Sequence, residues 1–323
     1  MITRRHCARS LLAIAVCVLV FRRIDAVAAS IEVGEGSVTP VAFLAPEFDE
    51  PSPAVTPGDD NFVYRLVHRF IPGGSDGPPP PCDIASPGPD TANFPNSPFT
   101  LPKGRSYVET LPGTFSLDGP DGTPAAWSWP FLIRTGLTDT CEFRILSQGP
   151  TVVGATPVTP VVDGFAPLVF DMKFHLWGDK ELLYVPAVGV EVFVQTGLAS
   201  KPFQVGTESG MALLVDHKLP GDWLFEWNVG LYGTSGGSLP DELSVPDLGA
   251  QWALQKQLTE RIAVFYQGFY NAAGIPFFPS DVVSGLGMQW NLSQRLAVFT
   301  SYNWSLDAVG SRSGGYSGFA YAY

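Results

Sequence analysis

Charged residues, cysteine and histidine are all scarce in this chain. Lys, Arg, Asp and Glu make up 15% of the 323 residues, against roughly 25% in an average soluble domain, and there are four cysteines and four histidines. This composition excludes a solvated helical protein, a coiled coil and an acidic disordered chain. A formal charge of -12 also argues against a nucleic-acid partner, because phosphate binding needs a clustered cationic surface.

Sequence motifs that would indicate metal chemistry are missing as well. The chain has no H-E-x-x-H motif and no paired-cysteine metal motif. We therefore expect no enzymatic activity, no cofactor and no bound metal.

Long apolar runs are confined to the N-terminus. Residues 1–29 contain basic residues, an apolar run over residues 11–21 and small residues up to Ala29, which together predict a cleaved signal peptide for export. An uncleaved anchor stays open as an alternative, because Arg22 and Arg23 follow the apolar run. Beyond residue 30, no uninterrupted apolar stretch is long enough for a membrane helix.

Residues 30–105 are rich in proline and show little periodicity. Ten prolines lie between Pro72 and Pro102, and proline removes the N–H that a sheet ladder or a helix needs. We expect a mostly irregular periplasmic segment here.

Residues 106–323 have a different character, because segments of about ten residues alternate apolar and polar side chains and are separated by turn residues. The predicted strands span residues 106–116, 126–136, 141–149, 168–177, 183–197, 210–218, 223–233, 247–256, 261–270, 281–292, 295–304 and 315–323. Their number could also be ten or fourteen, since the first segment is weak and the fifth is long.

Loop lengths favour a membrane barrel over a soluble sandwich, which would show the same alternation. Tight polar turns at residues 138–140, 220–222 and 258–260 alternate with longer Gly- and Pro-rich loops such as residues 150–167 and 234–245. Short turns at one end and long loops at the other are typical of bacterial outer-membrane barrels. We therefore predict an all-β fold, a transmembrane antiparallel β-barrel of about twelve strands in the cell outer membrane.

Aromatic residues support the same interpretation. Trp and Tyr gather near segment ends, where their amphipathic rings suit the two bilayer interfaces in contact with outer-membrane lipid. The candidates for these aromatic girdles are Trp127, Trp129, Trp223, Trp290, Tyr302 and Trp304. The chain ends in Phe319, Tyr321 and Tyr323, which resembles the C-terminal targeting signal that the barrel-assembly machinery recognises.

Several strand and turn phrases between about Thr110 and Tyr323 resemble a known family. They are residues 134–144 (RTGLTDTCEFR), 171–179 (DMKFHLWGD) and 194–197 (VQTG), together with the turns 258–261 (LTER) and 292–295 (LSQR). The chain is thereby similar to the outer-membrane β-barrel family of transporters associated with the meta-cleavage pathway of phenol degradation. The resemblance implies a channel or uptake role for small solutes, aromatic or hydrophobic ones among them, and the proline-rich entry segment departs from it.

If the polar register of each strand faces inward, the lumen has charges of both signs. Its candidate lining residues are Arg134, Glu142, Arg144, Asp171, Lys173, His175, Glu191 and Glu226. These side chains either line a narrow path for a small-molecule solute or only pair with one another and hold the barrel together. A channel, a non-transporting structural or surface-interaction barrel and a soluble secreted β-sandwich that binds a ligand all stay open at this point.

Cys82 and Cys141 are the cysteines that follow the predicted signal peptide, and export would expose them to an oxidising compartment. A disulfide between them would pin the proline-rich segment under the mouth of the barrel. The alternative is two independent thiols.

Overall fold

The computed structural model describes residues 82–178, 183–204, 206–234, 245–271, 281–306, 311 and 313–323. The predicted signal peptide (residues 1–29) and residues 30–81 of the predicted proline-rich segment lie outside the described residues. The regular structure is almost entirely β. Among the described residues, no helix has the length and apolar character needed to span a bilayer.

Within the described residues, sixteen strands form one antiparallel sheet. They are β1 (Ser106–Thr110), β2 (Thr114–Ser116), β3 (Ala126–Ser128), β4 (Phe131–Thr138), β5 (Cys141–Ser147), β6 (Pro150–Val153), β7 (Val162–Phe165), β8 (Val169–Trp177), β9 (Pro186–Gln195), β10 (Glu208–Leu219), β11 (Trp223–Thr234), β12 (Val245–Gln257), β13 (Ile262–Asn271), β14 (Asp281–Asn291), β15 (Leu296–Ser305) and β16 (Ser313–Ala322). A 3₁₀ turn, Lys201–Phe203, precedes β10.

The sheet closes on itself. β1 pairs with β4 on one side and with β16 on the other, where Tyr107 lies opposite Ala322 and Thr110 lies opposite Phe319. The closed ring contains β1, β4, β5 and β8 to β16, which confirms the predicted twelve-stranded barrel. Because one continuous sheet forms the ring, the two packed sheets of a sandwich are not the fold of this chain.

Four short strands adjoin β1, β4, β5 and β8, and two of them, β2 and β3, lie within the predicted strands 106–116 and 126–136, which the structure therefore interrupts. β2 follows β1, β3 precedes β4, β6 follows β5 and β7 precedes β8, and the short strands pair in the order β2, β3, β6, β7 as an extension of the barrel wall. Three of the gaps contain Pro112, Pro130 or Pro167, and the fourth contains Gly149 with a φ of +63°. Proline lacks the N–H that the ladder needs, so the ladder stops at the three proline-containing gaps.

Turns at one end of the barrel are short. The β10–β11 hairpin turns through Gly221 and Asp222, which adopt φ values of +73° and +58°, and residues 258–261 and 292–295 make the next two short turns. The long loops, including residues 117–125 and 196–204, lie at the opposite end. The short-turn end also holds the start of β1 and the end of β16, and β1 begins where residue 105 leaves the lumen.

The two faces of the barrel wall differ in polarity. Large apolar side chains of the outward register are exposed, among them Phe170, Val192, Met211, Leu213, Leu231, Leu248 and Leu286. Polar and charged side chains of the inward register are buried. Such an inverted arrangement, apolar outside and polar inside, is what a barrel in a lipid bilayer requires.

Candidate functional site

Residues 82–105, here called the lumen segment, lie inside the barrel without helix or strand. The segment enters at the short-turn end, where the Ile84 backbone N–H donates to the Gln294 carbonyl at 2.8 Å. Its polar contacts reach β1, β4, β5, β8, β9, β10, β11, β13 and β16, on all sides of the ring. The sequence analysis placed residues 30–105 together outside the barrel, whereas this part of them fills the lumen.

An apolar cluster anchors the lumen segment to one side of the wall. Ile84, Ala92 and Leu101 pack with inward-facing residues of β1, β15 and β16, including Tyr107 and Phe299. The Tyr107 hydroxyl also donates to the Asp83 carbonyl at 2.6 Å. The hydrophobic core of this molecule therefore lies between the lumen segment and one side of the wall.

Asp90 is the electrostatic centre of the lumen. Its carboxylate lies 2.9 Å from Arg144 Nη1 and 3.3 Å from Arg134 Nη1, and Lys173 Nζ donates to it as well. Burial by itself would raise the pKa of Asp90, but Arg134, Lys173 and Arg144 outweigh that effect and hold the pKa at about 2. The carboxylate is thus ionised at neutral pH and holds the segment to β4, β5 and β8.

Wall carboxylates complete the pairing of the two arginines. Arg134 binds Glu142 through Nε at 2.7 Å and Nη2 at 3.1 Å, and its Nη1 lies 3.1 Å from Glu109 Oε1. Arg144 Nη2 lies 2.5 Å from both Asp171 Oδ2 and Glu191 Oε1. Bidentate and charge-assisted contacts of this kind are the strong ones, and they make this side of the lumen a continuous ion-pair network.

The adjoining side of the lumen is acidic and receives only neutral donors from the segment. Asp216 on β10 lies directly opposite Glu226 on β11. Ser97 Oγ donates to Asp216 at 3.2 Å, and Asn93 Nδ2 donates to Glu226 at 2.6 Å. Among the described residues, neither carboxylate has a salt bridge within 4.0 Å.

Aromatic and amide groups line the remaining side. The Phe94 ring contacts Phe269 edge-on with 5.1 Å between centroids, and its backbone N–H donates to Gln267 Oε1 at 2.9 Å. Gln267 Nε2 donates in turn to Ser301 Oγ at 2.8 Å, and the Tyr316 hydroxyl donates to the Ala92 carbonyl at 2.9 Å. The segment therefore meets charged, acidic and aromatic walls in turn.

The sequence-predicted lumen residues all lie in the inward register of their strands. Arg134, Glu142, Arg144, Asp171, Lys173, Glu191 and Glu226 are buried, with at most 6% of each exposed. His175 is half-buried near the short-turn end, where its ring stacks on Phe99 at 5.1 Å. Their predicted role in lining a solute path is untested by this geometry, because the lumen segment covers them.

Several lumen residues were missed by the sequence analysis. Glu109 lies in the weak first segment, and Gln267 lies on a strand whose two registers both contain aromatic residues. Asp216 could have been found, because the tight turn at residues 220–222 pairs β10 with β11 in one register and sets it opposite Glu226. The segment residues Asp90, Asn93 and Ser97 have no periodic pattern that would have marked them.

The predicted girdle and C-terminal aromatics lie at both ends of the barrel wall. Trp223 and Trp290 are exposed near the short turns, while Trp129, Tyr302 and Trp304 lie toward the long loops. Trp127 is half-buried on β3, in the extension, and its Nε1 donates to the Pro112 carbonyl at 3.1 Å. Phe319 is exposed on the outward face of β16, where Tyr321 is half-buried, and Tyr323 is exposed directly after the strand.

Of the two alternatives for the cysteines, a disulfide or two independent thiols, this structure has the thiols. Cys82 and Cys141 are both free thiols. Arg105 Nη1 donates to Cys82 Sγ at 3.0 Å and to the Tyr323 carbonyl at 3.1 Å, which holds Cys82 beside the end of the chain. Cys141 lies instead at the start of β5, opposite Phe174.

No group of three or more His, Cys, Asp or Glu side chains is arranged to hold a metal ion within the part of the chain that the structure describes. The long buried side chains of the lumen are held by one another and by the lumen segment. The described lumen is thus filled by the lumen segment and by the side chains of the wall.

Comparison with solved structures finds a similar barrel, whereas the other comparisons find no match. No family model and no curated protein matches the chain. Among solved structures, an outer membrane channel from Pseudomonas putida F1 superimposes with a TM-score of 0.52 at 11% identity, covering 71% of this chain and 99% of that one. The KdgM porin (TM-score 0.45, 7% identity, 68% and 99% covered) and the NanC porin (0.45, 8%, 68% and 98%) are more distant. The chain therefore has the closed-barrel fold of an outer membrane channel.

Proposed function

We propose that this protein is an outer-membrane channel that the lumen segment closes and that passes small solutes when the segment moves. One observation carries the proposal: a closed barrel exposes apolar side chains outward and buries ionised side chains inward. A lipid bilayer accepts such a wall because every strand is paired. The channel needs no catalytic group, and we assign it no enzymatic activity.

The route to the membrane follows from both ends of the chain. We infer that residues 1–29 direct export and are removed, and that the barrel-assembly machinery recognises the last strand through Phe319, Tyr321 and Tyr323. The exposed Phe319 and Tyr323 support this proposal, since an outward apolar edge is accessible to a partner before closure.

We expect this channel to pass a narrower range of solutes than a wide porin does. The filled lumen supports a small solute, and the resemblance to the phenol meta-cleavage family supports an aromatic or hydrophobic one. Phe269 and Tyr316, which contact Phe94 of the lumen segment, would offer such a solute an aromatic wall. Aromatic pairs add about 0.5–1.5 kcal/mol beyond their buried area.

Single-channel recording in planar bilayers tests the proposal. Wild-type protein should give small or infrequent conductance steps, because Asp90 holds the segment to three cations. Asp90→Asn should raise the step frequency by weakening these charge-assisted bonds, and Asp90→Lys should raise it further by adding a like charge. Asp163→Asn, which alters an exposed carboxylate on β7, is the matched control and should behave as wild type.

The same experiment separates a second candidate, a structural or surface-interaction barrel that transports nothing. The observation that favours it is the extent to which the lumen segment binds the wall on every side. A heat-dependent shift in gel mobility in SDS would first show that each variant has folded. Folded Asp90 variants without reproducible steps would contradict the channel and support the structural role.

A further inference from the structure

The carboxylates of the lumen differ in how their charge is compensated. Four of them form salt bridges with Arg134 or Arg144, namely Glu109, Glu142, Asp171 and Glu191. Asp90 is surrounded by three cations. Asp216 and Glu226 have no such partner in the described part of the chain, although they are only 4% and 6% exposed. Two adjacent buried carboxylates without a cation need either a proton or a bound ion.

The neighbourhood of this acidic pair offers further oxygen atoms. Asp216 Oδ1 is buried and accepts no hydrogen bond. Asn228, two positions after Glu226 on the same inward face and 3% exposed, has a buried Oδ1 that also has no partner. Ser97 of the lumen segment adds a hydroxyl at Asp216 Oδ2, 3.2 Å away. Two buried oxygens on the inward face, Asp216 Oδ1 and Asn228 Oδ1, therefore have no hydrogen-bond donor.

Small residues flank the pair on the neighbouring strands of the wall. Ala187 on β9 lies opposite Asp216, and Ala253 on β12 lies opposite Glu226. Neither alanine can donate a hydrogen bond or supply charge from its side chain. The wall therefore brings the two carboxylates together, and the residues directly opposite them on β9 and β12 supply no charge.

We propose that Asp216 and Glu226, together with the side-chain oxygen of Asn228, bind a divalent cation of the calcium type between the β10–β11 hairpin and the lumen segment. Directly opposite residues of an antiparallel pair have Cβ atoms about 4.5–5.5 Å apart, close enough for both carboxylates to share one ion. Calcium accepts carboxylate, amide and hydroxyl oxygens in flexible geometry at about 2.3–2.6 Å. Two carboxylates also match its charge.

Such an ion would connect the wall to the lumen segment. Asn93 and Ser97 of the lumen segment already bind the same two carboxylates. A cation held there would therefore fix the segment to the acidic side of the lumen, whereas Asp90 fixes it to the side that carries the arginines and Lys173. The site depends on the β10–β11 register and on the segment, and does not require that the barrel conduct. Calcium binding and conduction can therefore succeed or fail separately.

The test uses full-length protein purified from membranes in detergent, stripped with EGTA and titrated with calcium chloride by isothermal calorimetry. We expect one site per chain and a rise in the thermal unfolding temperature with calcium. Asp216→Asn combined with Glu226→Gln keeps the shape of both side chains and should weaken binding about tenfold or more. Asn228→Leu keeps both charges and should weaken it less.

Asp222→Asn is the matched control, because it removes one carboxylate from the exposed turn of the same hairpin, where its side chain is 76% exposed. This variant should bind calcium as wild type does. Gel mobility with and without heating verifies that each variant is folded. Equal binding by the double variant and wild type, or no binding by wild type at millimolar calcium, would overturn the site and leave a shared proton as the compensation.

Discussion

At the residue scale, the lumen depends on the compensation of buried charge. Arg134 is fully buried and contacts three carboxylates, Asp90, Glu109 and Glu142, on the segment, β1 and β5. A buried ion pair adds little over apolar packing, but removal of one partner leaves the others uncompensated. Arg134 therefore stabilises the fold chiefly because its charge compensates the buried charges of the surrounding carboxylates.

Replacement of Arg134 should be costly for that reason. We expect Arg134→Ala to lower the free energy of unfolding by about 3–5 kcal/mol, measured by denaturant titration of the refolded protein in detergent. Arg261→Ala, in an exposed short turn, is the control and should change it by no more than about 0.5 kcal/mol. A loss for Arg134→Ala as small as that of the control would show that the carboxylates are compensated in another way.

At the element scale, two glycines of the wall allow the backbone of the lumen segment to come close. A Cβ on Gly136 would lie 2.2 Å from the Pro102 carbonyl oxygen, and one on Gly189 would lie 2.9 Å from the Pro98 carbonyl oxygen. Gly136 also exchanges hydrogen bonds with the segment, donating to Arg105 and accepting from Gly104, both at 2.9 Å. The end of the segment thus lies on β4 almost as an added strand.

A methyl group at Gly136 should displace the segment without unfolding the barrel. We expect Gly136→Ala to speed tryptic cleavage after Lys103 in the folded protein, because overpacking of this kind costs about 1–3 kcal/mol. Gly113→Ala serves as the control, since its Cβ would meet only the Ser317 side chain and backbone, at 3.3 Å or more. Unchanged cleavage in Gly136→Ala would mean that the segment can shift away from β4 at no cost.

At the scale of the whole molecule, the effect of a substitution on the outer wall depends on whether that wall faces lipid or water. Leu286 on β14 belongs to the outward register, lies at mid-strand and is 54% exposed. On a soluble surface a charge at such a position would be nearly neutral, whereas in a bilayer it has no water to solvate it.

The lipid-facing role of Leu286 can be measured directly. Leu286→Arg should lower the free energy of unfolding in lipid vesicles by about 2–4 kcal/mol, followed through the heat-modifiable band in urea. Leu258→Arg, in an exposed short turn, should cost about 0–1 kcal/mol. Equal effects of the two substitutions would argue that the outer wall faces water.

The sequence alone determined the class of fold. Polar and apolar residues alternate in strands such as β8, with Asp171, Lys173 and His175 on one face and Phe170 and Phe174 on the other. This alternation is a local property that can be recognised in one strand without knowing which strands pair with it. Tight turns then set the hairpin register, which is why the strand number and the inward charges could be predicted. Pro112 and Pro130 were also visible in the sequence, yet the sequence analysis placed them inside continuous predicted strands.

The tertiary structure decided what fills the barrel and which charges meet. Asp90 has no periodic neighbours, and its contact with Arg134, Arg144 and Lys173 arises only because ring closure brings β4, β5 and β8 around the returning segment. The same closure places no salt-bridge partner beside Asp216 and Glu226 among the residues that the structure describes. Pairing across a closed sheet depends on residues far apart in the chain, so local pattern determined the wall and long-range packing determined its contents.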